Sequence, residues 1–143
     1  MENVIRIPGN PIAMQRCRKS KFTNKMYNPQ KKEKTGLRWL VASQWQNKPI
    51  EGAVYLQVTF TIPMPRSWSE KRRQEADGKP HASKPDSDNL EKFLNDLLSG
   101  IVFLDDCQVS DTLIRKRWGK EGSTVLKIKP VTDSFFSNFP PIL

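Results

Sequence analysis

The chain has 143 residues, of which 36% are hydrophobic and 27% charged, with a formal net charge of +9. That length sets one domain with a real core, and no apolar run approaches the ~20 residues of a membrane span. Met1-Glu2-Asn3 lacks the regions of a signal peptide, and two cysteines, Cys17 and Cys107, make no disulfide framework, so reduced thiols in a cytoplasm are expected.

The positive charge is clustered. Residues 16–38 hold nine Lys/Arg against one Glu, an excess of +8, and residues 115–129 hold six against one, an excess of +5. Clusters of this kind are the footprint of polyanion binding, although either alone also suits a solubilising face. Arg16, Arg18, Lys19, Lys21 and Lys25, then Lys84, then Arg115 and Arg117 are the candidate contacts to such a polyanion.

In chain order, residues 4–7 read as a first strand ended by Pro8-Gly9-Asn10-Pro11. Residues 15–26 have no apolar period and are predicted to be a mobile basic arm. Asn28 as N-cap with Pro29 behind it predicts a helix over 29–46, with Leu37, Leu40, Val41 and Trp45 on its core face. The clearest strand is 52–63, where Val54, Leu56, Val58, Phe60 and Ile62 alternate with Tyr55, Gln57, Thr59 and Thr61. The polar run 66–83 is predicted to hold a short helix over 69–76 and a loop with the single histidine, His81, expected in solvent.

Residues 84–109 carry two pairs of acids, Asp86/Asp88 and Asp105/Asp106. Asp88 is predicted to cap a helix over 89–99 whose buried stripe is Leu90, Phe93, Leu94, Leu97 and Leu98, stopped by Gly100. Asp88 and Lys92 then lie one turn apart on the opposite side, and Asp86 points the same way. Residues 101–104 are expected to form a short apolar strand turning at Asp105-Asp106. A helix and strand side by side could bring both pairs together as a hard-cation site, since Mg²⁺ takes carboxylate and phosphate oxygens. The same pattern is also ordinary turn and cap chemistry. An EF-hand is excluded, because Glu91 stands where its glycine belongs and Leu97 where its last glutamate belongs. Cys107 is expected to be a small buried residue. Residues 108–118 and 124–129 are predicted to pair as a hairpin, with Arg115, Lys116 and Arg117 beside Trp118 suited to phosphate contact and stacking. A charge-blunted edge strand is the plainer alternative.

The run Asp86-Ser87-Asp88-Asn89-Leu90-Glu91-Lys92 with Asp105-Asp106 after it resembles the signature of RusA-type Holliday junction resolvases, Asp-x-Asp-Asn-Leu-x-Lys followed by Asp-Asp. The basic loop followed by Tyr27-Asn28-Pro29 is a weaker likeness in the right order. The resemblance is close over 84–109 and loose over nearly all the rest, with a long 64–84 connection as a departure. It implies a Mg²⁺-dependent endonuclease, with Mn²⁺ able to substitute, that resolves four-way DNA junctions by paired symmetric nicks in recombination and repair. It further implies a homodimer whose two sites match a two-fold substrate. The bacterial cytoplasm, at the nucleoid, is the place it implies, with the gene on a chromosome or a phage. By that resemblance Asp86, Asp88 and Asp106 hold the metal with Asp105 as a further ligand. The metal activates a water, and Lys92 orients the nucleophile or stabilises developing charge.

The fold class expected is α+β, a mainly antiparallel sheet with two principal helices on one face. One domain over 1–131 is followed by an apolar, proline-broken tail over 132–143. The alternatives are a less discriminating branched-DNA or flap endonuclease, and a non-catalytic basic DNA-binding protein whose acids are caps and turns.

Overall fold

The computed structural model describes residues 3–133. Strand β1 (Asn3–Pro8) leads into an arm with the short strands β2 (Arg18–Lys19) and β3 (Met26–Tyr27), then helix α1 (Lys31–Gln44). Strand β4 (Val54–Pro63), helices α2 (Glu70–Ala76) and α3 (Ser87–Leu98), a 3-10 turn at Asp106–Gln108, and strands β5 (Val109–Gly119) and β6 (Ser123–Pro130) complete it. The α+β class is as the sequence implies. Among the described residues no helix is long and apolar enough to cross a membrane.

The sheet order is β1-β6-β4-β5. Strand β6 is antiparallel to both β1 and β4, whereas β4 and β5 are parallel. The predicted hairpin of β5 with β6 is therefore not formed, because β4 lies between them. A three-residue link usually means a hairpin, but neighbouring strands are only ~4.8 Å apart, so a short link can also step over one strand end. Glycines permit the step here: a Cβ on Gly119 would collide with the Thr61 side chain, and one on Gly122 would come within 2.6 Å of Asn10 Cα.

One face of the sheet is apolar and buried, through Leu56, Val58 and Phe60 of β4, Leu126 and Ile128 of β6, and Ile5 of β1. Against it pack Val41 of α1, Trp45 just past its end, and the whole predicted stripe of α3, Leu90, Phe93, Leu94, Leu97 and Leu98. Burial of each such aliphatic or aromatic side chain contributes roughly 1.5–3 kcal/mol, which makes α3 the main lid of the core. Arg38 of α1 donates from Nη1 to Asp96 O at 2.8 Å and Ser99 O at 2.7 Å, satisfying carbonyls that the end of α3 leaves unpaired.

Several local expectations are corrected. Helix α1 starts two residues late, with Gln30 in the cap position, because the Asn28 side chain accepts from the Gln30 N–H at 2.9 Å and so forms a turn before the helix. Gln30 itself is buried and clasps the arm's root, bonding Ala13 O at 2.7 Å and the Gln15 N–H at 3.0 Å. Residues 101–104 form turns, not a strand. Gly100, at φ +82°, bends the chain so that its N–H meets Phe103 O at 2.7 Å, while Val102 O accepts from the Ile50 N–H. Four apolar residues in a row cannot distinguish a strand from a tight buried turn. The arm over 15–26 is not featureless, since β2 and β3 pair in it. The tail expectation lies outside the described residues from 134 onward.

Phe103 is 0% exposed and its neighbour Leu104 65% exposed. Phe103→Ala is expected to cost about 3–5 kcal/mol and Leu104→Ala no more than about 0.5 kcal/mol, read from urea unfolding midpoints.

Candidate active site

Asp86 occupies the N-cap position of α3, and Asp88, expected there, lies inside the first turn. Neither carboxylate caps. Asp86 makes no side-chain cap bond and turns instead to Lys84, whose Nζ approaches its two oxygens at 2.8 and 2.9 Å. That hydrogen bond and charge hold Asp86 below the usual carboxylate range, with Lys116 adding to the effect, and hold Lys84 above its own. Asp88 and Lys92 stand one helical turn apart at 3.9 Å, with side chains 67% and 64% exposed, on the side away from the core as expected. Two acids at a helix N-terminus also sit favourably in its positive field.

The lead-in to Asp86 is fastened to β5. The Lys79–His81 segment runs along the outer edge of β5, with the His81 N–H on Lys116 O and the Trp118 N–H on Lys79 O, both 3.0 Å. This covers an edge that would otherwise be open to pairing. Lys116 completes the anchor: its Nζ donates to Ser83 O and Pro85 O, both at 2.8 Å. His81 is not in solvent. It is buried against Trp118, ring centroids 4.3 Å apart, and burial and then the charge of Lys116 lower its pKa. Its Nδ1 has no hydrogen-bond partner among the described residues. A lone histidine in a polar run gave no signal of this, because the aromatic that buries it lies 37 positions away in sequence.

Asp105 and Asp106 lie elsewhere, toward the other end of α3, where Asp106 feels Asp96. Asp105 caps the 3-10 turn, its Oδ1 accepting from the Cys107 N–H at 2.9 Å, while Gln108 Oε1 reciprocates on the Leu104 and Asp105 N–H groups. Gln108, not singled out from sequence, also ties this turn to β4's lead-in through Ile50 O and Gly52 O. The cap reading is thus realised at Asp105. The Cys107 N–H, then a hydrogen bond with Asp106, hold Asp105 below the usual range. That same shared bond, burial, and the negative fields of Asp105 and Asp96 push Asp106 above it. Neighbouring carboxylates repel one another, and a bound cation would relieve that repulsion. Cys107 is exposed, not buried, and its contact with Asp105 raises its thiol pKa, which leaves it a poor ligand or nucleophile.

Within one chain the two acid pairs are therefore not brought together. Asp86 and Asp88 stand at the start of α3, whereas Asp106 lies near its last turns, within the field of Asp96. Among the described residues no three His, Cys, Asp or Glu side chains form a group able to hold a metal ion. The donor set at each end does fit Mg²⁺, being carboxylate oxygen alone.

The cations divide three ways. Arg16, Arg18, Lys19, Lys21 and Lys25 are exposed on the β2–β3 arm. Lys84 is committed to Asp86. Pairing register puts Arg115 beside Thr59 and Arg117 beside Thr61, on the sheet face opposite the helices. Lys116 and Trp118 pair with Phe60 and Ile62 and so point to the helix side, which splits the expected cation–aromatic group. Lys34 and Arg38 of the basic cluster serve structure, Lys34 bonding Asp96 at 2.8 Å.

Lys116→Met is expected to loosen the Asp86 lead-in: amide hydrogen exchange over 81–86 should rise several-fold while the core of β4 and β6 stays protected. Uniform protection in the variant would show that Lys116 does not anchor this segment.

Comparison with known proteins agrees with this architecture. Residues 8–129 match the family model of the RusA endodeoxyribonuclease. The chain is also 30% identical over 133 residues to the uncharacterized protein YqaN of Bacillus subtilis (strain 168), covering 87% of this chain and 93% of that relative. With the match covering residues 8–129, including β4, α3, β5 and both acid pairs, the chain belongs to the RusA family of endodeoxyribonucleases.

Proposed function

We propose that the protein is a Mg²⁺-dependent endonuclease that cuts four-way DNA junctions as a homodimer. The observation that carries this reading is that Asp86, half-buried, and Asp88, exposed, stand at a helix N-terminus without capping it. The helix field and the Lys84 and Lys92 ion pairs favour acids there, but neither requires the Asp-x-Asp pair in the order that the family motif carries. Asp86, Asp88 and Asp106 would hold the ion, with Asp105 as a further ligand and Mn²⁺ able to replace it. When bound, the ion supplies an activated water and neutralises charge building on the phosphate. Lys92, one turn from Asp88, offers a positive charge to the phosphate under attack. Lys116 and the Lys79–His81 segment hold Asp86 in place.

A two-fold axis that sets two copies of α3 antiparallel would bring the Asp86/Asp88 end of one protomer to the Asp105/Asp106 end of its partner. It would make two equivalent sites, as a two-fold-symmetric junction requires. The exposed arm cations would meet phosphates, fixing register without reading sequence. The family's nuclease activity is the coarser statement, and junction selectivity, metal and dimer are the finer ones proposed here.

The deciding experiment compares four-way, flap and duplex DNA with Mg²⁺ and with EDTA. Paired nicks on the four-way junction alone are expected, abolished by EDTA. Equal cutting of flaps would make it a general branched-DNA nuclease, and no cutting of any substrate a binding protein. Asp86→Asn and Asp88→Asn should each lose cleavage yet bind the junction at least as tightly, because a negative charge near phosphate is removed.

Mixed dimers test the shared site. A dimer of one Asp88→Asn and one Asp106→Asn protomer keeps one intact site if the pairs come from different protomers, and none if each protomer supplies both. Single-strand nicking restored on mixing the two dead proteins is expected. Separately, if the arms of a dimer neutralise about six phosphates, log affinity should fall with log salt at a slope of about −5. Replacing Arg16, Arg18, Lys19 and Lys21 with Ala should flatten that slope for junction and duplex alike, measured by fluorescence anisotropy.

A further inference from the structure

The β2–β3 arm carries one residue for which phosphate contact supplies no role. Phe22 stands in its turn, 96% exposed, more than any other large hydrophobic residue described. The turn is built around it. The Ser20 N–H donates to Lys25 O at 2.8 Å, Ser20 Oγ accepts from the Phe22 N–H at 3.2 Å, and Asn24 takes a left-handed φ of +55°. At the other end of the arm, Gln30 clasps Ala13 and Gln15 to the start of α1. The root is thus fixed and the ring held outward.

The ring's surroundings define what it can meet. Residues 15–27 hold five cations and no acid, and Arg18, Lys19, Lys21 and Lys25 are all exposed. A cationic collar directs the ring toward a polyanion rather than an apolar protein surface. Phosphates have nothing to offer a neutral aromatic ring. What a nucleic acid does offer it is the face of a base, which is available only where stacking is interrupted. In continuous duplex every base face is covered. At a branch point the strands part and faces open.

We propose that Phe22 stacks on an unstacked base at the branch point and so supplies the preference for branched over duplex DNA, while the cations around it supply affinity common to both. This rests on the junction-cutting function proposed for the acid pairs.

The test uses the full-length protein carrying Asp88→Asn to prevent cleavage, with a four-way junction and a duplex of the same sequence, by fluorescence anisotropy across a salt series. Adding Phe22→Ala should weaken junction binding roughly tenfold, the scale of one lost base–aromatic stack. Duplex binding and both salt slopes should stay unchanged, since the ring bears no charge. Phe22→Trp should keep the preference, because a larger ring stacks as well. Equal weakening on both substrates, or an unaltered junction-to-duplex ratio in Phe22→Ala, would overturn the assignment. So would a fall to monomer mass in light scattering, which would give the ring to a protomer contact. A parent that already binds junction and duplex alike would instead sink the branched-DNA reading, and this assignment with it.

Discussion

The parallel pairing of β4 with β5 is the constraint on which the rest of the molecule depends. Two parallel neighbours cannot be joined by a turn, since the chain must travel back the length of the sheet before the second strand begins. Helix α3 is that return. It runs counter to β5, as its contacts show: Asp86 at its start feels Lys116 late in β5, and Glu91 midway bonds Thr112 earlier in β5 at 3.1 Å. The acids before the helix and the acids after it are consequently held apart. Under the proposed function, the second pair of acids at each site would come from another copy.

The same constraint explains why so much polar machinery surrounds β5. As the last strand in the sheet order it has one edge unpaired by any strand. The Lys79–His81 segment fills that edge, and in doing so it delivers Asp86 to the helix start. Structure and proposed chemistry share these residues: Lys116 spends its charge on two backbone carbonyls and also biases Asp86 toward the anion. The aromatic ladder of Trp68, Trp118 and His81, with Arg72 over Trp68 at 3.9 Å, secures the α2 connection at the same corner.

Positive charge is used for two purposes that composition cannot separate. Lys34 and Arg38 neutralise and cap the C-terminal end of α3, next to Asp96, whose field reaches Asp106. The arm cations are exposed and carry the excess outward. A cluster read as one DNA-binding patch is therefore a structural brace at its helical end and a free surface at its hairpin end.

What the sequence by itself determined is whatever depends on short-range periodicity. The alternation in β4 and the five-residue stripe of α3 appear in the fold as read, because burying one face of a strand or helix is decided by residues two to four apart. Asp88 and Lys92 face away from the core for the same reason. The motif of four acids and a lysine likewise pointed to the family from linear order alone. Tertiary structure alone decided the partners. Whether β5 lies beside β6 or beyond β4 depends on backbone pairing between residues 55 to 76 positions apart, from Val54 with Val109 to Val54 with Pro130, to which local pattern is blind. The burial of His81 on Trp118 and the commitment of Lys116 to the Asp86 lead-in follow from that placement. So does the separation of the two acid pairs, because spacing in sequence sets which groups share a helix, while the direction of the neighbouring strand sets which groups meet.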